Sequence, residues 1–217
     1  MTAASAAEKA RSLSNQTKRL IGIGSIVVVI IGLALGTKVV PNDEVKAGAQ
    51  VFDPVIFGTE NFPIVQKTII ARSVDAATLA SAIAADATAA AQKYATPSSG
   101  GPVFSVKLTG VVGEGQSGIY PITVEGLPSG LSVRVQTGPA VNGTELRDAT
   151  GDISFGQFTN QIEYQNAASA LNEQAKAQVL VNIDQATLAG KTVDVTGAFT
   201  LINPASWLIT PVEFATK

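Results

Sequence analysis

The chain has 217 residues, 46% of them hydrophobic and only 15% charged, with Gly 20 and Pro 10. That composition is too apolar for a disordered chain and fits a β-rich globular domain carrying a membrane segment. With no Cys and no His, the chain lacks disulfides, thiolate nucleophiles, cysteine-linked lipid and the commonest general base and metal ligand, so a non-enzymatic protein without cofactor is expected.

Residues 1–19 carry Lys9, Arg11, Lys18 and Arg19 against Glu8 alone, whereas residues 41–217 carry 10 basic and 16 acidic residues. A mildly acidic domain without a basic stripe argues against nucleic acid as a partner. Residues 20–37 hold no charge, and as a helix they would span roughly 27 Å, close to a bilayer core. The basic flank lies before them, which keeps residues 1–19 in the cytoplasm and exports the rest. The expected organisation is a cytoplasmic tail at 1–19, a transmembrane anchor at 20–37, a tether at 38–50 and an exported domain at 51–217. A cleaved secretory signal is the rival, with Ala34-Leu35-Gly36 resembling a cleavage site. Gly32 and Gly36 also have the spacing of a helix-pairing face.

Pro54 and Pro63 interrupt residues 51–72, which read as an irregular wrap with a short strand at Val65–Ala71. From Ser73 to Tyr94 a single Ala-rich helix is expected, capped by Ser73 or Asp75. Leu79, Ile83, Ala87, Ala90 and Tyr94 form its packing stripe against a sheet. The period then changes to two. Strands are expected at 103–112, 119–125 and 131–137, the last with Ser132, Arg134 and Gln136 on a wet face. Residues 138–151 read as a long loop. A second helix opens near Ser154, where Ser154 and Gln157 have capping-box spacing and Ile153 and Phe158 the spacing of a staple. Its stripe is Tyr164, Ala168, Leu171, Ala175 and Val179. Strands at 192–202 and 207–214 close the chain.

Three strands, a helix and two strands is the layout of an OB-type Greek-key barrel. The expected class is therefore α+β: a transmembrane helix followed by an OB-like five-stranded barrel with two supporting helices. A faint internal echo accompanies it, since Val106–Gly110 and Val193–Gly197 share V-x-x-T-G. Each reads as a strand bending at glycine.

The densest polar cluster runs from Gln136 through Thr144, Arg147 and Asp148 to Asn160 and Gln161. A guanidinium fork with amides suits a polyhydroxylated or carboxylated solute. The competing reading is that Arg147 and Asp148 pin the loop while the amides cap strand and helix ends. Glu145, Asp148 and Asp152 lack the EF-hand spacing, so no metal is expected. Ser98, Ser99 and Lys93 are the local remnant of a Ser–Lys scheme, and turn chemistry explains the serines. Trp207 reads as a core aromatic rather than a sugar platform.

The run GPAVNGTELRDATGDISFGQFTNQIEYQ, the later GKTVDVTGAF and the closing LITPV resemble the bacterial family described as predicted periplasmic lipoproteins, over most of residues 50–214. The resemblance highlights Gly138, Pro139, Gly143, Thr144, Leu146, Arg147, Asp148, Gly151, Phe155, Phe158, Asn160 and Gln161. It implies a membrane-tethered exported domain of unknown biochemistry, with members often encoded beside sugar-type ABC importers. Without Cys this chain departs from lipid attachment, so its tether is expected to be the helix. The expected role is an extracytoplasmic accessory or binding module on the membrane, its partners ABC transporter subunits or a small polar solute. The alternative is an envelope scaffold that uses the polar block as a protein–protein surface.

Overall fold

Asp53 turns the chain helical at once, in a computed structural model that describes residues 51–217. Its carboxylate accepts from the Val55 and Ile56 amides at 2.8 and 3.1 Å. Helix α1, Pro54–Arg72, starts with Pro54 in the first turn, where a missing N–H costs nothing. This corrects the expected irregular wrap and the strand at Val65–Ala71. Pro63 does remove an interior helical hydrogen bond, but burial of Phe62, Val65 and Ile69 holds the helix through it. The expected tail, anchor and tether lie outside the described residues. Among the described residues no helix is long and apolar enough to cross a membrane.

The Ala-rich segment is two helices rather than one. After the short strand β1, Val74–Asp75, come α2, Ala76–Ala85, and α3, Ala87–Tyr94, followed by β2, Ala95–Thr96. Asp86 breaks the helix with extended backbone angles, and its carboxylate accepts from the Thr88 and Ala89 amides. Aspartate competes for nearby backbone donors, which favours a cap over a helix interior. Of the two expected caps for the first half, Asp75 is the one that bonds.

Five longer strands follow: β3, Val103–Val112; β4, Ile119–Thr123; β5, Ser132–Gln136; β6, Thr192–Thr200; and β7, Ser206–Thr216. Their order is β3-β4-β5-β7-β6, with β6 returning to β3, so the barrel closes. All pairings among these five are antiparallel except β5 with β7. The expected five-stranded barrel is present, with strand ends moved by a few residues.

The two V-x-x-T-G runs lie side by side. Val106 pairs with Gly197 and Gly110 with Val193, so each glycine faces the other run's valine. At Gly110 and Gly197 a Cβ would run into the carbonyl oxygens of Thr123 and Thr210 respectively. Close approach of a third strand therefore demands glycine at both bends. A register shift in β6 opposite β7 falls between Thr196 and Gly197.

Two apolar cores use opposite faces of these strands. Phe104, Val106, Leu108, Val193, Val195, Phe199, Trp207 and Ile209 fill the barrel together with Leu79 and Ile83 of α2. Trp207 is fully buried and stacks on Phe199 at 4.6 Å, as expected of a core aromatic. The second core gathers Phe62, Val65 and Ile69 of α1 with Val103, Ala198 and Val212 of the barrel. It is completed by Leu171 and Ala175 of α5, Gln161–Gln178.

Helix α5 begins later than the capping-box spacing indicates. Residues 155–157 make one 3-10 turn for which Ser154 supplies no side-chain cap. The cap is Asn160, whose Oδ1 accepts from the Glu163 amide at 2.9 Å, while Glu163 accepts from the Thr159 amide. Gln157 instead donates to the Asp152 carbonyl. The predicted stripe holds, with Ala168, Leu171 and Ala175 buried and Tyr164 and Val179 half-buried.

Candidate functional site

The loop after β5 is built around Arg147. It contains a single helical turn, α4, Glu145–Asp148. Within it Arg147 Nε and Nη2 donate to the two Asp148 oxygens at 2.7 and 3.1 Å, while Nη1 donates to the Tyr164 carbonyl at 3.0 Å. The guanidinium also lies over the Tyr164 ring, 3.5 Å from its centroid. Thr144 donates its hydroxyl to Asp148 at 2.7 Å. Both members of the ion pair are buried. Burial raises the Tyr164 hydroxyl above its usual range, against the pull of Arg147.

Gln136 is not on a wet face. It is buried, its amide donating to the Asn142 carbonyl and the Thr210 hydroxyl, both at 2.8 Å, and accepting from the Asn142 amide. Asn160 is occupied as the cap of α5, and Gln161 is an exposed first-turn residue. Gly138, Gly143 and Gly151 all adopt left-handed angles. At Gly143 the Glu145 carboxylate fills the space a Cβ would need. Pro139 is exposed beside Gly138, and Leu146 is buried in the outer core. Phe155 packs edge-on against Tyr164, and Phe158 packs against it at a tilt. The structure thus gathers Thr144, Arg147 and Asp148 into a bonded block, bonds Gln136 separately to Asn142 and Thr210, and leaves Gln161 apart.

Glu145 is the block's least satisfied member. Its Oε2 is buried without a hydrogen-bond partner, and its Oε1 lies 3.5 Å from the Thr200 hydroxyl. Desolvation raises the carboxyl above the usual range, its own backbone amide opposes this, and Asp148 adds to the rise. Among the described residues no three His, Cys, Asp or Glu side chains gather to hold a metal. Ser98 is engaged in its turn, donating to the Gly101 carbonyl.

A larger concavity lies away from this block. A groove of about 700 Å³ runs between the C-terminal end of α5 with its following loop and the outer face of β6 and β7. Gln66, Asn182, Asp184, Lys191, Glu213 and Phe214 line it. Gln66 donates to the Val212 carbonyl, Asp184 caps the turn at residues 185–187, and Lys191 donates to Thr187. Asp194, at its margin, is held below the usual carboxylate range by the Thr109 hydroxyl first and Lys217 second. Asn182 and Glu213 are exposed and carry no side-chain hydrogen bond among the described residues. None of the residues predicted as binding lines this groove. Its walls come from segments far apart in sequence, which no local motif joins.

A family model described as Predicted periplasmic lipoprotein (DUF2291) matches residues 26–215. The chain belongs to this family. A crystal structure of an OB-fold protein from Thermotoga maritima is similar, with a TM-score of 0.60 at 18% identity, over 77% of this chain and 100% of that one. That likeness extends to the fold, and agrees with the closed five-stranded barrel. No curated protein matches the chain.

Proposed function

We propose that this DUF2291 protein is a membrane-tethered, extracytoplasmic, non-enzymatic module that takes a small polar solute in the groove beside β6 and β7. The observation that carries this reading is the groove itself. It is concave, and it combines a cation, carboxylates, the free amide of Asn182 and one aromatic, a set that suits a polyhydroxylated ligand. Family membership supports the extracytoplasmic setting. The uncharged run at residues 20–37 supports a helical tether, since the sequence offers no Cys for lipid. A chain without His or Cys has few routes to covalent or general-base chemistry. Service to a sugar-type ABC importer rests on the family resemblance, and co-purification with permease subunits tests it.

Thermal-shift screening of the full chain against sugars and polyols tests the solute site. A ligand at 100 times its dissociation constant adds about 2.7 kcal/mol of stability. That gain should vanish in Asn182→Ala with Glu213→Gln while the unliganded midpoint stays put. If no solute raises the midpoint, the reading is wrong. The scaffold reading then gains.

A further inference from the structure

Helices α1 and α5 run side by side in the same direction. Pro54 and Val55 lie beside Asn166 and Ala170, and further along Thr59 accepts from Gln174. Their N-terminal ends therefore share one end of the domain, and large apolar side chains stand out there. Val55 and Ile56 on the first turn of α1 are 70% and 56% exposed, Ile162 on the first turn of α5 is 69%, and Phe155 just before it is 49%. Beneath them the rings of Phe52, Phe57 and Phe158 pack in a triangle with centroids 5.4 to 5.7 Å apart. The tip is thus a firm apolar surface set on a rigid aromatic base. Asp53 and Glu163 accept backbone amides here as helix caps, Asp53 remaining exposed.

We propose that this tip rests in the interfacial layer of a bilayer, with Val55, Ile56, Phe155 and Ile162 entering a neutral, zwitterionic lipid surface. Two features favour lipid as the occupant. The chain enters the domain at this same end, 14 residues after the uncharged run at 20–37, so an extended tether reaches at most about 50 Å. Aromatic and aliphatic side chains at that level are what an interface takes up. The second feature is charge. No Lys or Arg occurs in residues 47–66 or 148–175, the two segments that build the tip. Apolar partition, rather than attraction to anionic headgroups, then supplies the affinity, and the contact should resist salt. The inference rests on the membrane tether but not on the solute groove.

The absence of native Cys makes the test direct. Val55→Cys, Phe155→Cys and Ile162→Cys, each in the full chain, are labelled with a polarity-sensitive fluorophore and reconstituted in phosphatidylcholine vesicles. Ala71→Cys, exposed near the far end of α1, serves as the control. The expected result is a blue-shifted tip label, quenched several-fold more by spin-labelled lipid than the control, equally at low and high salt. Flotation with the vesicles reports the tether separately, so protein that fails to float condemns the anchor. Protein that floats with an unquenched, solvent-exposed tip overturns this inference alone. A shielded tip label that lipid does not quench points to a second copy or a protein partner, and also overturns it. Equal quenching at Ala71 would mean that α1 lies flat, which overturns the tip as the contact.

Discussion

A guanidinium only 4% exposed is tolerable when its N–H groups find acceptors and its charge finds a partner. Arg147 meets both conditions with Asp148, the Tyr164 carbonyl and the Tyr164 ring. Arg147→Lys keeps the charge but loses the planar fork, and should lower stability by about 1–3 kcal/mol in urea titration. An unchanged midpoint would show that the pair is not holding the loop. Glu145 predicts the opposite sign. Its folded carboxyl binds a proton more tightly than the unfolded one, so stability falls as pH rises from the ordinary glutamate range through the raised folded value. Below that range both states are protonated and the penalty disappears. Glu145→Gln should therefore be more stable than the native chain at neutral pH, and should match it near about pH 3. Thermal midpoints across pH measure this, and parallel curves for the two proteins would refute it. At this scale the sequence exposed the polar cluster but left its roles open. Adjacent residues 147 and 148 offered a pair by proximity, whereas the Tyr164 ring and Thr210 meet the block only after folding.

Helix α1 shows how one residue type can carry two opposite messages. Pro54 follows Asp53, a cap-then-proline start, yet together with Pro63 it reads as a breaker when the cap is overlooked. Only Pro63 works against the helix, and it does so on an exposed face. Pro63→Ala restores the backbone donor without opening a cavity, and should raise stability by about 1–3 kcal/mol, after allowing for the looser unfolded chain. A lower urea midpoint would mean that the proline stabilises this helix. The start of α5 was equally legible in a second place. Asn160 and Glu163 have the same three-residue spacing as Ser154 and Gln157, and only the former pair bonds as a cap. The strands were clearer because glycine-rich turns bound them and their faces alternate. What no pattern disclosed was the mutual pairing of the two V-x-x-T-G runs, which is a property of barrel closure.

At the scale of the molecule, β3 and β6 belong to two cores at once. Phe104 and Phe199 point into the barrel, while their neighbours Val103 and Ala198 point outward to α1 and α5. A strand cannot loosen on one face and stay packed on the other, so the cores should melt as one unit. The chain's single Trp makes this measurable. Trp207 sits in the barrel core, so its fluorescence follows that core, while far-UV circular dichroism follows the helices, α1 and α5 the longest. Phe62 is fully buried in the outer core rather than in the barrel interior. Phe62→Ala should cost about 3–5 kcal/mol against a typical total of 5–15. If the shared strands couple the cores, both signals shift to the same lower midpoint. A circular dichroism transition that moves while the Trp207 transition stays would separate the cores. Helix α1 would then be an attachment to a barrel that stands without it.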